Sequence, residues 1–118
     1  MLNANELAKI LMDYLVEGIV PTDKSELSKA LSDLGIGDAA PAVYKGGYVM
    51  EYYSGSVLMK RTHKIKEREM LELSEKYTSG NVPEKGLKGY FDHIVTEEVN
   101  QAMYEGFMTQ RYLNQRRR

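Results

Sequence analysis

Leu7, Leu11 and Leu15, and again Leu27, Leu31 and Leu34, recur at intervals of three and four residues. That spacing stacks them on one stripe of a helix and commits the first third of the chain to helices. Ile10 and Tyr14 widen the first stripe, Asn3 and Glu6 form a capping pair before it, and Gly18 ends it, with Ile19 as the hydrophobic contact beyond and Pro21 barring continuation. The second helix repeats the pattern. Asp23 and Glu26 cap it, Ala30 joins the leucines, and Gly35 followed by Ile36 stops it. Asp38 is expected to cap a third, shorter helix through Ala39, Ala40, Pro41, Ala42 and Val43, ended by Gly46 and Gly47.

From Tyr48 the composition turns to valine, tyrosine and methionine, which suit a pleated sheet better than a helix. Tyr48 to Tyr53 and Val57 to His63 read as a hairpin around Ser54, Gly55 and Ser56, with Tyr48, Met50 and Tyr52 on one face and Tyr53 on the other. Strong helix formers return from Lys64 to Tyr77, with Ile65, Met70, Leu73 and Tyr77 as a thin apolar stripe. After the linker Thr78–Asn81, Pro83 opens a helix with Leu87, Tyr90, Phe91, Ile94 and Val95 on one face, which Gly86 and Gly89 should weaken. Thr96 with Glu97 and Glu98 reads as a new start, and Val99, Met103, Phe107 and Leu113 belong to a final helix. The expected fold is α+β: one mainly helical domain over residues 1–118 with a single hairpin, residues 1–63 holding helices and hairpin and 64–118 the C-terminal helices.

At 118 residues the chain can bury one core, roughly two-thirds of its unfolded surface. It has no cysteine, so disulfides and thiolate metal sites are excluded, and a reducing, cytoplasmic setting is expected. The apolar runs are too short and too broken by charge for a membrane span, and no signal peptide is expected. The net charge of -1 conceals segregation. Met1–Tyr44 carries seven acids against three bases and Glu69–Gln110 eight against three, whereas Lys45–Arg68 carries six bases against two acids and the segment from Arg111 onward four bases alone.

No catalytic pattern stands out. His93, Asp92 and Glu97 could be drawn as a metal or acid–base set, but ligands from one short segment are weak grounds for either. The glycines match no phosphate-binding or dinucleotide loop. No catalytic residue, metal ligand or cofactor is assigned, and the chain is expected not to be an enzyme.

The segment Ser25–Lys45, SELSKALSDLGIGDAAPAVYK, resembles the helix-turn-helix family of DNA-binding domains in its Ala30, Gly35 and Val43, with looser spacing than that family usually shows. The hairpin after it is similar to the wing of a winged-helix domain, so the resemblance spans Ser25 to His63. It implies a small nucleic-acid-binding regulatory or accessory protein. Tyr44 and Lys45 would lie near the bases, and Lys60, Arg61, His63, Lys64, Lys66 and Arg68 would hold phosphates, with Arg116 and Arg117 as a further cationic arm. A second reading is a protein-binding module, an inhibitor, adaptor or assembly subunit. Met103, Tyr104, Phe107, Met108 and Tyr112 crowd adaptable apolar surface onto the last helix, where a protein partner or a second copy could dock.

Overall fold

The structure, a computed structural model, describes residues 2–21, 25–36 and 41–116, the side chains of residues 25–26 and 106–116 excepted. Asn3 starts helix α1 (Ala4–Leu11): its Oδ1 accepts the Glu6 N–H at 2.8 Å, and its Nδ2 donates to the Glu6 carboxylate at 2.7 Å. The expected pair is thus reciprocal, although the return bond reaches the side chain of Asn3 instead of its backbone. Leu7, Leu11 and Leu15 are all buried.

The last turn of this helix departs from the expected α geometry, because Met12–Val16 is π-helical and Glu17 N–H donates to the Met12 carbonyl. Widening the turn leaves the Tyr14 and Leu15 carbonyls for another segment. They accept from Ala42 N–H at 2.9 Å and Tyr44 N–H at 3.0 Å. Ile19, expected to close a hydrophobic contact, is instead 56% exposed. Sequence spacing cannot reveal this substitution, in which a distant loop supplies the carbonyl partners that the helix end needs.

Helix α2 (Ser25–Asp33) buries Leu27, Ala30, Leu31 and Leu34 as its spacing requires. Its expected cap at Asp23 lies outside the described residues. Gly35 takes the left-handed conformation, donating to Ser32, while Ile36 N–H reaches back to Leu31 at 2.8 Å. This pair of bonds is the Schellman arrangement that the Gly-Ile ending implies. The third helix expected over residues 38–43 is corrected where the structure describes it. Pro41–Gly46 is a series of turns, Ala42 sits at φ 65°, and its N–H belongs to the end of the first helix, so a helical run there would lose those bonds.

Strands β1 (Tyr48–Ser54) and β2 (Val57–His63) pair antiparallel, with Tyr48 opposite His63 and Ser54 opposite Val57 around a two-residue tip. Tyr48 is buried and Met50 and Tyr52 half-buried on the inner face, whereas Tyr53 faces outward at 72% exposure. Helix α3 (Glu67–Thr78) packs along α1 and buries Met70, Leu73 and Ser74. Among the described residues, the Ser74 hydroxyl has no hydrogen-bond partner in this interior. A buried donor without a partner costs about 1–3 kcal/mol. Ser74→Ala is therefore expected to leave stability unchanged or raise it by about 1 kcal/mol, read from the urea midpoint, and a clear loss would mean the hydroxyl is satisfied.

Helix α4 (Gly86–Arg116) is the largest departure from expectation, because one helix runs where two were expected. Phe91, Val95 and Val99 are buried at four-residue intervals, so the core stripe passes straight through Thr96 and holds the helix together across the expected break. Gly86, expected to weaken this helix, starts it instead. It lies at φ 59°, and the next residue, Leu87, donates to the Leu34 carbonyl at 2.9 Å. A Cβ on residue 86 would run into the Leu34 backbone. The end of α2 and the start of α4 thus meet at a point where only glycine fits.

Candidate interaction surface

Two inner-face positions of the hairpin anchor it to α4. Tyr48 stacks on Phe91 with ring centroids 5.4 Å apart, and its hydroxyl donates to Asp92 Oδ1 at 2.6 Å. Burial first, and then this hydrogen bond, raise the Tyr48 phenol far above its ordinary pKa. The partial burial of Asp92 pushes its carboxyl upward, but hydrogen bonds from Lys88 and Tyr48 prevail and hold it below the usual carboxylate range.

Opposite Tyr48, His63 carries the other anchor. Its Nε2 lies 2.7 Å from Glu69 Oε2 on α3 and its Nδ1 lies 2.6 Å from Glu98 Oε1 on α4. His63 and Glu69 are both buried. A neutral imidazole has one N–H. Both contacts are hydrogen bonds only if the ring carries two protons or one carboxyl group carries its own. Glu69 also accepts the Lys66 backbone N–H at 2.8 Å, so one carboxylate both starts α3 and holds the hairpin. Arg61 Nε reaches the other oxygen of Glu98 at 3.2 Å.

These contacts redistribute the cationic segment expected to face nucleic acid. His63 is inside the protein, because the strand register turns it toward α3 and α4. Arg61 is engaged by Glu98, and Lys60 lies 3.6 Å from Glu51 across the hairpin. Lys64, Lys66 and Arg68 are exposed, with Arg68 on the rim of a groove between α3 and α4 that Glu69, Glu72 and Lys76 also line. Lys45 is exposed, but Tyr44 is half-buried against the core, its ring 6.1 Å from that of Tyr48, and burial raises its phenol pKa. Val43, expected as the apolar anchor of a recognition helix, is 50% exposed. Arg116 lies in the backbone of α4, and Arg117 lies outside the described residues. His93 is exposed, and its neighbour Asp92 turns to Tyr48 and Lys88, so the two do not converge on one ligand.

The apolar residues singled out near the C-terminus have a different setting. Val99 is the last buried residue of α4 among those described, and the helix then runs on from Asn100 to Arg116, about 25 Å at a rise of about 1.5 Å per residue. Met103 and Tyr104 are 60% and 61% exposed on this overhang. Phe107, Met108 and Tyr112 lie farther along the same helix, their side chains outside the described set. The molecule is correspondingly elongated, 66 × 26 × 21 Å. At the base of the overhang, Arg61, Glu97, Glu98, Gln101, Ala102 and Glu105 line an acidic groove of about 450 Å³.

A second exposed surface was not singled out from the sequence. Val49, Tyr53 and Leu58 share the outer face of the hairpin with the Glu51–Lys60 pair. Period-two alternation set Tyr53 on the face opposite Tyr48, Met50 and Tyr52 without saying which face is outer, and the same count applied to both strands would have grouped its neighbours with it.

Among the described residues, no helix is long and apolar enough to cross a membrane. No family model, no curated protein and no solved structure matches this chain significantly.

Proposed function

We propose that this chain is a non-enzymatic protein-binding module that docks its partner on the overhang of α4. The carrying observation is the contrast between two groups of residues. Of the cations best placed for phosphates, Lys60 and Arg61 already face carboxylates and His63 is buried, whereas Met103 and Tyr104 stand exposed on a helix that continues beyond the core. A helix of that length is marginal in water by itself, and an apolar face against a partner supplies what the core does not. Phosphate neutralisation, which dominates non-specific nucleic-acid affinity, has less to work with here.

A nucleic-acid-binding role is the second reading, favoured by the exposure of Lys64, Lys66 and Arg68 in close succession. Salt titration separates the two. Duplex and single-stranded DNA and RNA are expected to bind no more tightly than the non-specific range of about 10⁻⁴–10⁻⁶ M at physiological salt. Nanomolar binding that falls steeply with salt and is lost in the Lys64→Gln/Lys66→Gln/Arg68→Gln chain would overturn the proposal in favour of that role. A photo-crosslinker at Gln101 is expected to give a discrete protein adduct, absent from the Met103→Lys/Tyr104→Lys chain. No adduct with any protein, itself included, would also overturn it.

A further inference from the structure

The partner that the overhang fits best is a second copy of this chain, and we infer that two overhangs pair antiparallel about a two-fold axis near Met108. This inference rests on the protein-binding reading above and names its occupant. The charges along α4 specify both partner and orientation. Glu97 and Glu105 lie where the overhang leaves the core, beside a Glu98 that His63 and Arg61 already engage, and Arg111 and Arg116 lie toward its far end, followed in sequence by Arg117 and Arg118. One end of the overhang is therefore acidic and the other basic. Two identical helices of this kind repel when parallel and attract when antiparallel, and antiparallel packing also opposes their helix dipoles favourably.

With the axis at Met108, Glu105 lies opposite Arg111 of the second copy, and Asn100 opposite its Arg116. The same register sets Tyr104 opposite Tyr112 of the second copy, each about 40° around the helix from Met108 at about 100° per residue, so an apolar pair falls beside the charged one. Arg116 of each copy then falls near the groove that Glu97 and Glu105 line on the other. Such a contact is isologous, with every interaction made twice, and closes at two copies. Two helices about 25 Å long bury an area at the small end of specific interfaces. The expected dissociation constant is accordingly on the order of 1–100 µM.

Sedimentation equilibrium of the full chain from about 1 to 500 µM, at low and high salt, tests this directly. A reversible dimer is expected that weakens as salt rises. Arg111→Glu alone and Glu105→Arg alone should each weaken it at least tenfold, and the two together in one chain should restore it, because the swap preserves each pairing with reversed sign. Far-UV circular dichroism checks that every variant retains its helix. A chain monomeric at 500 µM, or a dimer indifferent to both reversals, overturns the inference. A monomer that still gives the adduct dependent on Met103 and Tyr104 leaves the protein-binding reading standing with another partner, whereas a monomer without adduct removes both.

Discussion

His63→Leu is expected to destabilise the fold by about 3–5 kcal/mol, which for a domain this size lowers the melting temperature by roughly 10–20 °C. Leucine fills much of the ring's volume, so little of the loss comes from packing. The damage is the loss of polar partners. It leaves Glu69, a buried carboxylate, without its 2.7 Å partner, and releases the second contact to Glu98, whose side chain is 32% exposed and is still held by Arg61. Removing one member of a buried hydrogen-bonded cluster leaves its partners unpaired in the interior, which is far costlier than replacing the whole cluster with apolar groups. Adding Glu69→Leu to His63→Leu should therefore recover part of the loss. The recovery stays incomplete by about 1 kcal/mol, because Glu69 also accepts the Lys66 N–H at the start of α3, and that capping bond disappears with it. Equilibrium urea unfolding of the two single variants and the double variant gives the comparison. A His63→Leu protein within about 1 kcal/mol of the parent would show that the two carboxylates do not depend on the ring.

Gly86→Ala should cost about 2–5 kcal/mol for a different reason. Placing an L-residue in the left-handed region costs about 1–2 kcal/mol, and forcing an extra carbon into a packed junction adds about 1–3. The Cβ would meet the backbone of Leu34, which has no rotamer by which to retreat, and relief requires moving the end of α2 or the start of α4. Either movement breaks the bond from Leu87 N–H to the Leu34 carbonyl. Gly55→Ala is the control, since it shares the positive φ but its Cβ meets nothing within 4 Å. It should lose only the conformational part. Equal losses at the two positions, measured by thermal unfolding, would mean that the junction yields easily.

Both sites show which parts of this fold a sequence discloses. The buried stripes of α1 and α2, the two strands of the hairpin and the Gly35 stop were legible because each is a local pattern: a repeat of three and four, an alternation of two, or a glycine after the last apolar residue. The register was not, since Ser54 joins β1 and leaves a two-residue tip where a three-residue turn was expected. The π-helical turn, the loop at Pro41–Gly46 and the start of α4 at Gly86 were not, because their hydrogen bonds join segments far apart in sequence. The break expected at Thr96 followed a capping pattern that is real chemistry, but buried Val95 and Val99 outweigh it. His63 misled for the same reason. Its neighbours Lys60, Arg61 and Lys64 mark it as one cation among several, and only the strand register and the placing of Glu69 and Glu98 turn it inward. Tyr53 could be set on the face opposite Tyr48, Met50 and Tyr52, and Met103 read as candidate contact surface, since each needs only its own element to be known.

Because α4 is one continuous helix from Glu98 to its far end, a partner that grips that end orders a lever whose fulcrum is the histidine cluster beneath the hairpin. Once that end is held, the helix between it and the cluster is held too. Docking and folding should accordingly reinforce each other, and the hairpin amides should exchange with solvent more slowly whenever the distant end is held.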